Sequence, residues 1–320
     1  MALSLIEQEP PRRRAPVAAL VVALRPKQWT KNLLVFAGIL FTLDHGHRAS
    51  QFGLVSLGFV IFCLLSSVVY LINDVADRDS DRQHPKKRYR PIACGELSVP
   101  AAITTAVLLG FVSLVGAFVA RPVFGVIALV YFSLTVLYTF RLKHVVILDV
   151  LVLAAGFVLR AISGAVLIHV AISSWLILCT LMLALFLGLS KRRAELIATQ
   201  QSGTVSTRRI LGEYSSTMLD QMIVIVTSAC LMSYCLYTVQ SEAASKHQLL
   251  MLTIPFVIYG IFRYLYLMHR HLLGESPDAI LIEDRPTLIN VILWGVTTAL
   301  IVTHVADRLV NLLSHMLSHL

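Results

Sequence analysis

Long apolar runs separated by short polar stretches leave this chain few ways to fold. They lie at roughly 52–73, 100–119, 123–140, 145–168, 172–189, 216–238, 248–268 and 287–306, and a further one ends at Leu43. About 20 apolar residues in a helix cross the ~30 Å hydrocarbon layer of a bilayer. No water reaches that layer, so each segment has to satisfy its own backbone N–H and C=O groups, as a helix does. The expected fold class is all-α, a polytopic membrane bundle of about nine transmembrane helices. Composition agrees: 57% of the residues are hydrophobic and 14% charged, where a soluble domain carries ~25% charged. Residues 1–16 read as a disordered basic tail, 17–307 as a single transmembrane domain and 308–320 as an amphipathic tail. No short apolar core with a small-residue cleavage site opens the chain, so no cleaved signal peptide is read. The five cysteines form no C-x-x-C pair. They read as buried apolar thiols, not as metal ligands or disulfides.

Orientation follows from charge. With the N-terminus inside, the inside segments hold 21 Lys and Arg: six before the first span, six in 74–98, two at 141–143, five in 191–215, and Arg270 and Arg285. The outside segments hold four: Arg48, Arg121, Lys246 and Arg308. Lys and Arg accumulate in cytoplasmic loops, so the N-terminus is expected in the cytoplasm. The net charge of +9 follows mostly from this loop bias and is not read as nucleic-acid binding.

At the exit of the second span stands Asn73-Asp74-x-x-Asp77-x-x-x-Asp81. On a helix these four fall at about 0°, 100°, 40° and 80°, whereas Asp79 falls at about 240°. Three carboxylates and an amide oxygen on one face are hard donors suited to Mg²⁺, which commonly bridges to substrate phosphates. The competing reading is a solvated, charged helix end. Lys27 and Lys31, four apart, are expected to share a helix face, either as a boundary anchor or as a phosphate contact. Arg160 lies deep in its span and so has to face protein or water. Asp149 lies some 16 Å from it along the axis, too far to pair directly. Lys191, Arg192 and Arg193 close the sixth span, as a topology anchor or an anion site. Gly156, Ala161, Gly164 and Ala165 are expected to serve close helix packing.

The acidic motif, at the end of the second of nine helices, resembles the UbiA-type intramembrane prenyltransferase superfamily over roughly residues 20–307. That resemblance implies a bundle with a cytoplasm-facing cavity in a bacterial inner membrane. It implies a diphosphate bound through Mg²⁺, or Mn²⁺, on the aspartates. Asp74, Asp77 and Asp81 are then catalytic and, with Asn73, the metal ligands. Further segments resemble the decaprenyl-phosphate phosphoribosyltransferase branch. They are Arg25-Pro-Lys-Gln-Trp-Thr-Lys-Asn32, His84-Pro-Lys-Lys-Arg-Tyr-Arg-Pro-Ile-Ala93, Leu142-Lys-His144 and Leu159-Arg-Ala-Ile-Ser-Gly164. The branch implies transfer of 5-phosphoribose from 5-phosphoribosyl diphosphate to a polyprenyl phosphate, releasing diphosphate, for arabinose donors of the cell wall. The candidate substrate-binding residues are Lys31, Asn32, Asn73, Lys86, Arg88, Tyr138, Lys143, Asp149, Arg160, Lys191, Arg192 and Arg193. The partners are the lipid phosphate, the sugar diphosphate and the membrane, and a homo-oligomer is compatible with all of this.

One departure from the superfamily supports the branch. Prenyl-transferring members carry a second aspartate-rich motif near the end of the sixth helix, where this chain reads Lys191-Arg-Arg-Ala-Glu195. A Lys/Arg cluster suits a second anionic end on the donor, the 5-phosphate. The acceptor phosphate is already ionised, so the reaction needs no general base. The alternative is a prenyltransferase moving an isoprenyl group from a prenyl diphosphate to an aromatic acceptor, which calls for the missing acidic motif. A transporter with a midplane ion site calls for broken helices and acids deep within spans, and the acids here gather at one end.

Overall fold

The computed structural model describes residues 14–43, 46–84, 87–171, 173–202, 209–270 and 284–303. Helices α1 (Pro16–Leu24), α2 (Ala37–Leu40), α3 (Ala49–Ala76), α4 (Arg78–Gln83), α5 (Val99–Ala120), α6 (Pro122–Phe140), α7 (Leu148–Ile168), α8 (Ser174–Ser202), α9 (Ser216–Gln240), α10 (Glu242–Lys246), α11 (Ile254–Arg270) and α12 (Arg285–Val302) follow one another, with no strand among the described residues. Among the described residues eight helices are long and apolar enough to cross a membrane: α3, α5 to α9, α11 with the turns before it, and α12. Their starts are set locally. Ser98, Ser215 and Asp284 accept the N–H of Ala101, Met218 and Thr287, as N-caps do. Pro100 and Pro122 stand in first turns, where a missing N–H costs nothing.

The ninth expected span takes a different form. Pro26–Phe36 is a 3₁₀ helix of 11 residues, and the four-residue α2 follows it directly. Such runs rarely exceed 3–4 residues, but at ~2.0 Å per 3₁₀ residue and ~1.5 Å per α residue this one reaches about 28 Å, the thickness of the hydrocarbon layer. Three residues per turn line up Trp29, Asn32 and Val35. Trp29 Nε1 donates to Ser67 Oγ at 3.0 Å, and Asn32 Nδ2 donates to Ser66 Oγ at 3.2 Å and Cys63 Sγ at 3.3 Å. The same geometry corrects the expectation for Lys27 and Lys31. At about 120° per residue they leave the helix 120° apart, and Lys31 Nζ instead donates to Gln28 Oε1, three residues back, at 2.5 Å.

Close packing holds this segment in place. A Cβ on Gly164 would run into the Val35 carbonyl, and one on Gly38 would come 3.0 Å from the backbone of Ala165. Helix α7 is the shared wall of two cores. Val35, Phe62, Phe124, Tyr131 and Leu167 form one of them, between the 3₁₀ helix, α3, α6 and α7. Val150, Phe186, Tyr234 and Tyr264 form the other, between α7, α8, α9 and α11. All five cysteines are free; Cys63, Cys179 and Cys230 are buried. Cys94 is exposed because it sits in the polar loop ahead of α5. The two terminal tails, the loop 271–283 and Lys86 lie outside the described residues.

Candidate active site

The acidic motif does not ride on one uninterrupted helix. Helix α3 ends at Ala76, Asp77 takes φ −92° and ψ 7°, and α4 resumes at Arg78. That dihedral lies in the sparsely populated bridge region where many active-site residues sit. Hydrogen bonds from Asp77 N–H to the Asn73 carbonyl (2.9 Å) and from Asp81 N–H to the Asp77 carbonyl (2.8 Å) carry the helical phase across the break. Asp74 and Asp81 are therefore both buried and both face one guanidinium. Arg90 Nη1 lies 3.1 Å from Asp74 Oδ1 and 2.6 Å from Asp81 Oδ2. Arg25 Nη2 reaches the same Asp74 oxygen at 2.5 Å. Asp77 accepts from Lys143 Nζ at 2.8 Å. Asp79 is 90% exposed and lies 3.7 Å from Arg82, three residues on. Asn73 is half-buried beside Asp74.

Three carboxylates are thus matched by three cations from separate parts of the chain. Arg25 caps α1 in the left-handed region (φ 53°, ψ 57°) and stacks on the Tyr70 ring at 4.8 Å. Arg90 comes from the loop between α4 and α5, and Lys143 from the turn between α6 and α7. Burial pushes the Asp81 carboxyl pKa up, while Arg90 pulls it down. Among the described residues no three acidic, His or Cys side chains converge as a metal centre would require. Arg90 and Lys143 hold Asp74 and Asp81 on one side and Asp77 on the other. The donor set is all oxygen, which fits a hard divalent cation. An ion entering here has to displace those basic side chains from the carboxylates.

A second polar cluster lies at the same end of the bundle. Asp149, fully buried in the first turn of α7, accepts from Arg192 Nε at 2.6 Å and from the Tyr214 hydroxyl at 2.8 Å. Arg192, itself 2% exposed, also donates to Glu195 Oε2 at 2.8 Å and to the Tyr138 hydroxyl at 3.3 Å. Arg193 turns the other way and donates to Asp220 at 2.5 Å. Consecutive residues on α8 differ by 100°, so Lys191, Arg192 and Arg193 do not form the single cluster that their sequence suggests. The Tyr214 oxygen in turn accepts the Ile147 N–H at 2.7 Å. Ile147 stands at φ 69° and ψ −44°, and Leu148 N–H reaches the Val146 carbonyl at 2.8 Å. This is a positive-φ γ-turn, costly for a β-branched residue. Burial first, and then Asp149, push the Tyr214 phenol up to about 12.

Arg160 forms a third, deeper group. Its Nε donates to Asn32 Oδ1 and its Nη2 to the Tyr131 hydroxyl, both at 2.7 Å, and its guanidinium lies 4.8 Å over Tyr131 and 5.1 Å over Phe157. These partners are all neutral. Arg88 is exposed and stacks on the adjacent Tyr89. The sequence reading passed over Arg25, Arg90 and Tyr214. The two arginines lie inside the quoted motifs, but their pairing with Asp74 depends on tertiary structure.

The UbiA prenyltransferase family model matches residues 32–281. A decaprenyl-phosphate phosphoribosyltransferase from Mycobacterium tuberculosis is 36% identical over 284 residues, which is 88% of this chain and 93% of that protein. The Mycolicibacterium smegmatis protein of the same name is 35% identical, covering 87% of this chain and 90% of its own. Among solved structures, a UbiA homolog from Archaeoglobus fulgidus bound to GPP and Mg²⁺ superposes with a TM-score of 0.69 over 89% of this chain and 99% of its own, at 19% identity.

Proposed function

The chain belongs to the UbiA prenyltransferase family, and on that premise we propose that it transfers 5-phosphoribose from 5-phosphoribosyl diphosphate to a polyprenyl phosphate. What carries this reading is the likeness to the phosphoribosyltransferases named above, which runs through nearly the whole chain. The geometry supports it. In the reaction the bond from the anomeric carbon to the diphosphate oxygen breaks, and a bond to an acceptor phosphate oxygen forms. The transition state is oxocarbenium-like, as in other glycosyl transfers. The acceptor oxygen is already anionic, so no proton has to leave it.

A divalent cation, Mg²⁺ in this proposal, would neutralise charge on the departing diphosphate. Asp74, Asp77 and Asp81 would hold it, with Asn73 alongside. Arg25, Arg90 and Lys143 would then be available to phosphate oxygens, where charge-assisted hydrogen bonds are strong. Lys31, Arg160 and Lys191 are the candidates to hold the 5-phosphate or the acceptor phosphate, alongside or in exchange for their present partners. Arg192 is a positioning residue, since its three nitrogens already bind Asp149, Glu195 and Tyr138. The product would feed arabinose donors for the cell wall. The test is turnover by the purified protein. Diphosphate release should need 5-phosphoribosyl diphosphate, a polyprenyl phosphate and a divalent cation together. Turnover of an isoprenyl diphosphate with an aromatic acceptor, and none with the phosphoribosyl donor, would overturn the proposal.

A further inference from the structure

Two arginines are buried among the described residues, Arg160 and Arg192. Arg192 faces Asp149 and Glu195, whereas Arg160 meets no carboxylate among the described residues. Its Nε donates to Asn32 Oδ1 and its Nη2 to the Tyr131 hydroxyl. A guanidinium has five N–H donors, so three have no acceptor among the described residues: one on Nη2 and both on Nη1. Nη1 and Nη2 form a planar fork that can grip a phosphate through two parallel bonds. Gly156, one turn earlier on α7, leaves room beside it. A Cβ there would meet nothing nearer than the Tyr131 ring at 3.6 Å and Nη1 at 3.7 Å. A charge with only neutral partners is unfavourable inside a bilayer. Packing does not require it, because the two N–H groups of an uncharged Gln amide suffice for two acceptors.

A polar line joins Arg160 to the acids. With Asn73 at 0°, Tyr70, Ser67, Ser66 and Cys63 fall at about 60°, 120°, 20° and 80° around α3. They continue the face that carries Asp74, Asp77 and Asp81. Residues 25–32 bond that face level by level. Arg25 binds Asp74 and lies over the Tyr70 ring, Trp29 donates to Ser67, and Asn32 donates to Ser66 and Cys63. Asn32 is also the partner of Arg160. Ser66 stands eight residues before Asp74, about 12 Å deeper in the bundle. Tyr70, Gln28 and Lys31 are half-buried along this line.

We infer that Arg160, its plane held by Asn32 and Tyr131, binds a substrate phosphate through the fork beside Gly156, below the acids. The inference rests on the function proposed above, where Arg160 is one of three candidates, and deepens it. Two groups in that reaction have the required chemistry, the donor 5-phosphate and the phosphate of the acceptor lipid. An isoprenyl tail laid against the fork would leave the charge unmatched, whereas a phosphate supplies the missing counter-charge.

The experiment uses the full chain in lipid nanodiscs and measures binding of ribose 5-phosphate and of geranyl monophosphate by calorimetry. At least one probe should bind Arg160→Gln roughly 10- to 150-fold more weakly than the parent, the range for a lost charge-assisted contact. Loss with ribose 5-phosphate assigns Arg160 to the donor, and loss with geranyl monophosphate assigns it to the acceptor. Arg160→Lys keeps the charge without the fork and should fall in between. Gly156→Ala places a methyl group beside Nη1 at an ordinary contact distance. It should melt like the parent and weaken the same probe. Arg263→Gln removes a cation paired with Asp284 on another helix and should bind both probes like the parent. Parent-like affinity for both probes in Gly156→Ala and in folded Arg160→Gln would overturn the inference and leave Arg160 a structural residue. If Arg160→Gln does not fold, Gly156→Ala decides. No saturable binding of either probe by the parent would overturn it as well. Binding needs no turnover, so failure of the proposed reaction and failure of this site are read separately.

Discussion

Arg192→Gln separates a structural role for the α8 terminus from a substrate-binding one. Arg192 is 2% exposed and Asp149 is fully buried. Removing one partner of such a pair costs about 3–5 kcal/mol, because the other charge stays behind in a poor dielectric. Tyr214 still donates to Asp149 in the variant, and a hydrogen bond to a charged group is worth ~1.5–3 kcal/mol. That support places the cost near the low end, about 3 kcal/mol, or a roughly 150-fold shift in the folded fraction. At ~2–4 °C per kcal/mol, the apparent Tm in detergent should fall by roughly 6–12 °C. Arg192→Gln with Asp149→Asn leaves no stranded charge and should recover to within about 1 kcal/mol of the parent. Arg193→Gln breaks a pair whose acid is 43% exposed, and surface pairs contribute ~0–1 kcal/mol. Lys191→Gln is therefore the clean kinetic probe of the 5-phosphate, with Arg193→Gln as its control. A lost charge-assisted contact should raise the donor KM roughly 10- to 150-fold and leave the acceptor KM alone. An Arg192→Gln protein with the parent Tm and a raised donor KM would refute this assignment and make Arg192 a substrate ligand.

The other predictions concern the mouth and its orientation. Asp74→Asn and Asp77→Asn should abolish turnover while Asp79→Asn, at an exposed position, keeps most of it; equal loss at all three in folded protein would sink the site. Arg90→Gln should move the acidic limb of kcat/KM to higher pH. Burial raises the Asp81 pKa and Arg90 lowers it, so without Arg90 the carboxylate ionises only at higher pH. An unmoved limb would show that Asp81 does not govern it. A thiol introduced by Gln83→Cys should be closed to an impermeant reagent in intact cells, and one introduced by His47→Cys open; the opposite pattern would invert the topology inferred from charge.

Hydropathy alone located eight helices, because a run of ~20 apolar residues has no alternative in a bilayer. It does not distinguish an α-helix from a 3₁₀ helix, so Pro26–Phe36 was legible as a span but not in its geometry. Its close contact with Gly164, some 130 residues away along the chain, was likewise not visible locally. The acids were legible for the opposite reason. Their arrangement is local, and helical phase separated Asp79 from its neighbours despite the break at Asp77. Their counter-ions were not legible, since Arg25 and Lys143 lie 49 and 66 residues from their carboxylates. The charge of the α8 terminus was visible in the sequence, but its partner Asp149, 43 residues upstream, was not.

The mouth is balanced before any substrate arrives. Three carboxylates face three cations, so under the proposed function a donor carrying a diphosphate and a divalent ion would bind by exchange, with the carboxylates holding the ion and the basic side chains the phosphates. Exchange avoids leaving any of the buried charges unpaired, the outcome that costs most in a low dielectric. It also requires the basic groups to stay close once released. Backbone geometry provides for that at two points. Arg25 is held at φ 53° by the end of α1, and the turn after Lys143 passes through Ile147 at φ 69°, clamped by Tyr214. Each such residue costs about 1–3 kcal/mol and persists only where its surroundings fix it. Arg25 is fixed by Asp74 and the Tyr70 ring, and Ile147 by a phenol that also binds Asp149. The two clusters are joined through the Lys143 turn: Asp149 binds Tyr214, Tyr214 binds the Ile147 N–H, and Lys143, four residues earlier, faces Asp77.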